Sequence, residues 1–349
     1  MVATSKVPAS SIDADMAEQP AVLEGLLSRR TALAAELAPL RRRPVAGVLL
    51  AARGSSDNAA TYGRYVLEAA LGRPAALSAN SLFTRYGCRT SLDGWLVIAV
   101  SQSGETTEIT EVLEATRPLG ARAVAITNDD RSSLALAADT VVGLEAGDER
   151  AVPATKTYTA TLLALALLAE LLGEAPWRPG TLEAMPALVD ALLDDRNAAA
   201  EAATLLAKGQ PSVHLGRGYL YCAALESALK LREAALLPVE GYANADFLHG
   251  PIAASGAETA ALCHLGAGPT RADGEALAEV MRRRGSAIVA CGSDLARLKP
   301  DAALRVPAVE ESVAALVHAV RGQQLAVDVA LARGLDPDRP AGLSKVTRT

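Results

Sequence analysis

Trp95-Leu96-Val97-Ile98-Ala99-Val100 runs directly into Ser101-Gln102-Ser103-Gly104-Glu105-Thr106-Thr107, and this junction decides the fold. An apolar run without alternation fits a strand buried on both faces. It stops at a loop rich in hydroxyl and amide groups, and helical spacing follows through Ile109, Val112 and Leu113. Neighbouring segments repeat the order. Val45 to Ala52 stops at Arg53-Gly54-Ser55-Ser56 and leads into helical spacing through Tyr62, Tyr65, Val66 and Ala69. Ala121 to Ile126 stops at Thr127-Asn128-Asp129-Asp130, and Thr140 to Leu144 follows. Apolar strands alternating with amphipathic helices predict an α/β fold with a parallel sheet covered on both faces.

The pattern then restarts. Ser212 to Leu215 ends in Gly216-Arg217-Gly218, before a helix from about Leu220 to Leu236. Ala260 to Leu265, Ser286 to Ala290 and Leu304 to Val306 supply further strands, and a helix from about Val309 to Arg333 closes the second half. Arg-Gly directly follows the first strand of each half, as Arg53-Gly54 and Arg217-Gly218. The repeated order predicts two tandem doubly wound units joined near residues 190–205. The expected division is a flexible arm over 1–20, a first domain over 21–195, a second over 196–335 and a tail over 336–349. Within the first domain, spacing from Val22 to Arg43 is helical.

Composition agrees. The 349 residues suffice for two cores, and with 50% hydrophobic but 3% aromatic content those cores are built from Ala, Leu and Val. A net charge of -6 argues against a nucleic-acid or anionic-membrane partner, which calls for a basic stripe. Cys88, Cys222, Cys263 and Cys291 are scattered with no C-x-x-C pair, which fits a reducing compartment and small apolar fillers. No secretory core marks the first twenty residues. The greasiest stretch, Tyr158 to Leu172, is interrupted by Glu170 and falls short of the ~20 residues of a membrane span, so a buried helix is expected. A soluble, cytoplasmic protein follows as the expectation.

In such a sheet, ligands bind where strand ends feed helix N-termini, whose unpaired N–H groups favour an anion. Ser56 lies at one strand end, and Ser101, Gln102, Ser103 and Thr106 lie at the next, around a permissive Gly104. This is a lysine-free cradle for a phosphomonoester, unlike a Walker loop; the lack of G-x-G-x-x-G speaks against a dinucleotide. The same loop also reads as an N-cap and capping box for the following helix. On spacing alone the two readings are evenly matched, and they are compatible.

The second half supplies acid–base candidates. Glu226, Lys230 and Glu233 fall at i, i+4 and i+7 on one helical face, as a surface ion-pair ladder or as a face turned into the cleft. His249 precedes Gly250-Pro251, where the backbone is constrained, and is an acid–base candidate. His214, His264 and His318 sit in apolar contexts and are expected in the core; the four scattered histidines show no metal-ligand spacing.

Together these segments resemble the sugar isomerase (SIS) family, in particular the isomerase half of glucosamine-6-phosphate synthase and the stand-alone SIS-type glucosamine-6-phosphate deaminases. The resemblance runs from Glu18-Gln19-Pro20 to the last residues. It includes Arg53-Gly54-Ser55-Ser56-Asp57, the Ser101 loop, Ala154-Thr155-Lys156, the Glu226-to-Glu233 helix, Phe247-Leu248-His249-Gly250-Pro251 and Pro340-Ala341-Gly342-Leu343-Ser344-Lys345-Val346-Thr347. Several motifs in one order make it specific. It implies two flavodoxin-like units, with Ser56, Ser101, Gln102, Ser103 and Thr106 holding a sugar phosphate. It further implies that Glu233 moves a proton between C1 and C2 and that Lys230 stabilises the enediolate oxygen. By the same resemblance His249 would open the sugar ring, reaching the site from the partner subunit of a homodimer as its counterpart does in the synthase. The resemblance also implies that Lys345 meets the carbonyl region, with a Schiff base as one option. Gly54, Ser55, Val152, Ala154 and Glu226 are further substrate contacts by the same match. Neither metal nor organic cofactor is implied.

Within the family, Phe247-Leu248-His249 and the ending Pro337-Asp338-Arg339-Pro340-Ala341-Gly342-Leu343 resemble the deaminases, whereas the Ser101 loop resembles the synthase. Met1 is not followed by a nucleophilic cysteine and the fold starts early, so glutamine-dependent synthesis by this chain alone is not expected. The leading expectation is conversion of glucosamine 6-phosphate to fructose 6-phosphate and ammonia. The alternatives are C3 dehydration of N-acetylglucosamine 6-phosphate, a fructosamine-phosphate deglycase, and a non-catalytic sugar-phosphate sensor. A sensor needs the phosphate loop but not Glu233, His249 and Lys345 together.

Overall fold

In the computed structural model, which describes residues 10–195, 197–340 and 342–343, the apolar runs become two parallel sheets. The first contains β1 (Gly47–Ala51), β2 (Ala75–Leu77), β3 (Trp95–Val100), β4 (Arg122–Thr127) and β5 (Thr140–Gly143), side by side in the order β2-β1-β3-β4-β5. The second contains β6 (Ser212–Gly216), β7 (Val239–Ala243), β8 (Ala260–Leu265), β9 (Ala287–Gly292) and β10 (Ala302–Arg305), in the order β7-β6-β8-β9-β10. The second order is the first with every number advanced by five. In both, the second and third strands flank the first, so the strand order reverses beside β1 and β6, the position at which sheets of this kind bind ligands. Register places Leu49 beside Val97 in one sheet and Leu215 beside Cys263 in the other.

Parallel pairing requires crossovers, and helices supply most of them. Ahead of β1 come α1 (Ser11–Ala17), α2 (Gln19–Ser28) and α3 (Arg30–Leu37). The first sheet is then crossed by α4 (Ser55–Leu71), α5 (Asn80–Thr84), α6 (Thr107–Thr116) and α7 (Ser133–Ala137). Between the sheets in sequence lie α8 (Lys156–Leu172), α9 (Met185–Asp194) and α10 (Ala200–Leu206). The second half adds α11 (Tyr221–Ala235), α12 (Asn244–Leu248), α13 (Arg271–Arg283) and α14 (Ala314–Ala332). Helix α4 packs on α8, α11 on α14, and α4 on α11, so one core runs through both halves, from Leu50 and Leu165 to Leu231 and Leu316. Helix α8 is buried from Lys156 to Ala169, as a helix apolar on every side must be. Among the described residues no helix is long and apolar enough to cross a membrane.

Three expectations change. The flexible arm does not extend over residues 10–20: Ser11–Ala17 is helical, with Ile12 and Met16 packed on Ala151 and Val327. Asp15 is fully buried because its carboxylate accepts from the Arg150 and Ala151 N–H groups at 2.7 and 2.9 Å and lies 3.3 Å from Lys156 Nζ. The single helix expected over Val22 to Arg43 is divided into α2, α3 and a 3-10 turn at Ala38–Arg42 that contains Pro39. Strands β2 and β7 were not foreseen, being short or carrying Glu240 and Gly241.

The tail is tied to the same N-terminal helix. Ser10 caps α1 by accepting from the Asp13 N–H, and Asp338 accepts from the Ser11 and Ile12 N–H groups at 2.7 and 2.8 Å. Three donors that a helix leaves unpaired at its start are thereby satisfied, two of them by the tail.

The two halves also repeat in detail. Gly54 and Gly218 follow the first strand of each unit with φ of 58° and 60°. Arg53 pairs with Glu108 on α6 at 2.8 Å, and Arg217 pairs with Asp273 on α13 at 3.2 Å. They differ in the loop after the third strand of each unit. After β8, the Glu311 carboxylate stands where a side chain on Gly268 would begin, and it accepts from Thr270 Oγ1.

Candidate active site

At the carboxyl ends of β1 and β3 a cleft of about 400 Å³ opens between the first unit and α11 of the second. Gly54, Ser55 and Ser56 line it from the turn into α4, and Ser101, Gln102, Ser103 and Thr106 line it from the turn into α6. The fold thus brings together every residue expected to hold phosphate. Gly104 allows the tight Ser101 loop: its φ is +66°, and a Cβ there would collide with Ser132. The loop is held by the Gly104 N–H donating to Ser101 O and the Leu134 N–H donating to Gly104 O, at 3.2 and 3.0 Å.

The competing capping-box reading is not realised. Helix α6 begins after Thr106 with no side chain capping it, and Glu105 instead accepts from the N–H and hydroxyl of Ser133 at 3.0 and 3.1 Å. Helix α4 likewise has no side-chain cap. Two helices therefore start at this cleft without an internal acceptor, which suits an anion. Helix α8 differs. Glu149 accepts from the N–H groups of Thr155, Lys156 and Thr157 at 3.0, 3.2 and 3.0 Å, so that start already holds a carboxylate.

Opposite the cradle, Lys230 and Glu233 line the cleft from α11. Lys230 Nζ lies 2.5 Å from Glu233 Oε2 and 3.4 Å from Glu226 Oε1. Lys230 and Glu226 are buried, so the surface ladder does not hold. Burial works against the Lys230 charge, but Glu226 and Glu233 outweigh it and hold the ammonium above its usual range. Burial pushes the Glu226 carboxyl up, with Lys230, Asn58 and Ser55 opposing.

Glu226 does not line the cleft as a substrate contact would. Its oxygens accept from Ser55 Oγ at 2.9 Å and Asn58 Nδ2 at 2.7 Å, so it joins α11 to the start of α4 from behind Lys230. The i, i+4, i+7 spacing gave the face correctly but not the depth. Val152 and Ala154 do line the cleft. His249, after α12, is exposed and is not among the residues lining the cleft of its own chain. Lys345 lies outside the described residues, although Leu343 reaches the cleft.

The cleft holds residues that sequence reasoning missed: Arg53, Thr157, Tyr158, Thr161 and Leu343. Arg53 was visible as the neighbour of Gly54. The other polar ones lie on α8, of which Tyr158 to Leu172 was expected as a buried helix interrupted by Glu170, and the threonines at 155, 157, 159 and 161 were the available signal. His214, His264 and His318 are buried, as their apolar contexts implied.

A family model described as SIS domain matches residues 46–171 and again 206–333. The glutamine–fructose-6-phosphate aminotransferase (isomerizing) of Methanothermobacter thermautotrophicus is 33% identical over 302 residues, covering 85% of this chain and 51% of that protein. That of Thermus thermophilus is 32% identical over 348 residues, covering 94% and 57%. The chain thus spans about half the length of the curated relatives it matches. Among solved structures, the C-terminal domain of glucosamine-fructose-6-phosphate aminotransferase from Francisella tularensis superposes with a TM-score of 0.86 at 24% identity, covering 96% of this chain and all of that one. At that identity the likeness speaks for the fold.

Proposed function

This chain belongs to the SIS-domain family, and from that premise we propose that it converts glucosamine 6-phosphate and water to fructose 6-phosphate and ammonia. The observation that carries the reading is the Lys230–Glu233 pair facing two uncapped helix starts across one cleft. Abstraction of a proton next to a carbonyl needs a carboxylate base and a cation for the oxygen that gains charge. In this scheme Ser56, Ser101, Gln102, Ser103 and Thr106 hold the phosphate. His249 of a second copy opens the ring to the aldehyde, and Lys345 meets the carbonyl region. Glu233 takes the C2 proton while the Lys230 ammonium stabilises the oxygen at C1. Return of the proton to C1 leaves an imine at C2, and water replaces its nitrogen, giving the ketose and releasing ammonia. Deamination is preferred within the family because Phe247-Leu248-His249 and the Pro337-to-Leu343 ending resemble the stand-alone deaminases.

The test is incubation with glucosamine 6-phosphate and, separately, with its N-acetyl form. Stoichiometric fructose 6-phosphate and ammonia support the proposal. Loss of water from the acetylated sugar, or inertness to both, refutes it. Glu233→Gln should lower turnover by about 10²–10⁴-fold, the usual worth of a positioned base, while leaving sugar-phosphate binding in place.

A further inference from the structure

Three of the four histidines, dispersed through the sequence, converge inside the second unit. His214 on β6, His264 on β8 and His318 on α14 are all buried, and Ser227 on α11 joins two of them. Ser227 Oγ lies 2.7 Å from His214 Nδ1 and 3.0 Å from His264 Nε2. His264 Nδ1 faces His318 Nδ1 at 3.1 Å. On the adjacent strand β9, the Cys291 thiol completes a group whose ligand atoms all lie within 4.8 Å of one another.

One arrangement of the protons presents His264 as a ligand. Ser227 has one hydroxyl proton and also lies 3.3 Å from Ala224 O; when that proton goes to the carbonyl, the serine oxygen accepts from both imidazoles. His264 then carries its proton on Nε2 and turns the lone pair of Nδ1 toward His318. A histidine whose second nitrogen is tied by a hydrogen bond while the first offers a lone pair is the arrangement found around bound metals. Two imidazole nitrogens bound at about 2.0–2.1 Å in a tetrahedral site stand roughly 3.4 Å apart, close to the separation seen here.

We propose that His264, Cys291 and His318 bind one thiophilic closed-shell metal ion, Cu⁺ or Zn²⁺, that fastens β8, β9 and α14 together beneath α11. The donor set, two imidazoles and a thiolate, matches both ions. On binding, Cys291 loses its proton to solvent as folding closes the site, and His318 holds its own proton on Nε2. With one thiolate a Cu⁺ site is neutral, whereas Zn²⁺ leaves one positive charge buried, so the charge count favours the monovalent ion. The site is separate from the cleft and does not depend on the reaction proposed for it.

The chain, prepared without a metal-affinity tag, is analysed for bound metals by elemental mass spectrometry. It is then unfolded with chelator and refolded anaerobically with Cu⁺, with Zn²⁺, or with neither. The proposal expects about one ion per chain in one metal arm and at least a tenfold loss of it in Cys291→Ala and His318→Phe. Cys263→Ala, an equally buried thiol on β8, should keep the ion, which separates lost ligation from a damaged core. Which arm restores the higher melting temperature identifies the ion. Wild-type chain that binds neither ion, or binding unaffected by Cys291→Ala and His318→Phe, overturns the proposal and leaves a hydrogen-bonded chain of neutral imidazoles.

Discussion

Asp338→Ala should detach the C-terminal tail from the cleft while leaving both sheets intact. Asp338 holds the tail by accepting from the first two N–H groups of α1, and five residues later Leu343 lines the cleft. Replacing a capping acceptor by alanine costs about 0.5–2 kcal/mol. Both bonds are part-buried, and a tail that leaves uncovers the Ser11 and Ile12 donors to water, so the larger penalty for stranded buried groups does not apply. A loss of about 1–2 kcal/mol lowers the ratio of docked to undocked tail by roughly 5–30-fold. Hydrogen exchange read by mass spectrometry on peptides spanning Leu335 to Leu343 should accelerate by that factor, with exchange in β1 and β3 unchanged. Asp338→Asn, which keeps one acceptor oxygen, should fall between the two. In steady state kcat should fall with the docked fraction. Unaltered exchange in the tail of Asp338→Ala, or equal acceleration in the tail and in β3, would refute the reasoning.

Two further outcomes concern charged groups. Arg53 lines the cleft beside Ser56 and is half exposed, paired with Glu108. If it turns to a bound phosphate, Arg53→Ala should raise KM for the phosphorylated sugar about tenfold at unchanged kcat, and added salt should narrow the difference. Asp15 governs acid stability. Burial alone would raise its carboxyl, but the Ala151 N–H, Arg150 and Lys156 outweigh burial and hold it below 3.8. Since the folded value lies below the unfolded one, its contribution is complete above about pH 4 and is lost as pH falls through the folded value. Asp15→Asn should therefore flatten the acid limb of stability against pH. Parallel limbs for the two proteins would rule the assignment out.

How far the sequence could be read depended on whether the deciding contact was local. Trp95–Val100 and Ala260–Leu265 were legible to the residue because a strand covered on both faces is an almost unbroken apolar run, His264 being the one polar position in the two. Val239–Ala243 was not, because Glu240 and Gly241 break the apolar run although parallel pairing with β6 holds the segment. Helix α1 looked like a loose arm because Asp13 and Asp15 dominate its composition. What orders it lies far away in the chain, at Arg150, Lys156 and Asp338. Spacing put the Ser101 loop at a strand end and Lys230 and Glu233 on one helical face, but left a capping box and a surface ladder open until the fold set them across one cleft. The role of Glu226 could not be found this way, since spacing does not reveal that Ser55 and Asn58 lie behind it.

The carboxylate of Glu311 breaks the symmetry of the repeat. Both units carry a loop at the end of the third strand, but the second supplies an acceptor from its own chain where the first leaves room for a guest. A duplicated unit need not keep two working pockets. One copy can satisfy its donors permanently and become scaffold, freeing its first helix to lend Lys230 and Glu233 to the sister copy. In the described residues the cleft opens beside the loop of the first repeat, while the matching loop of the second is occupied by a carboxylate of its own chain.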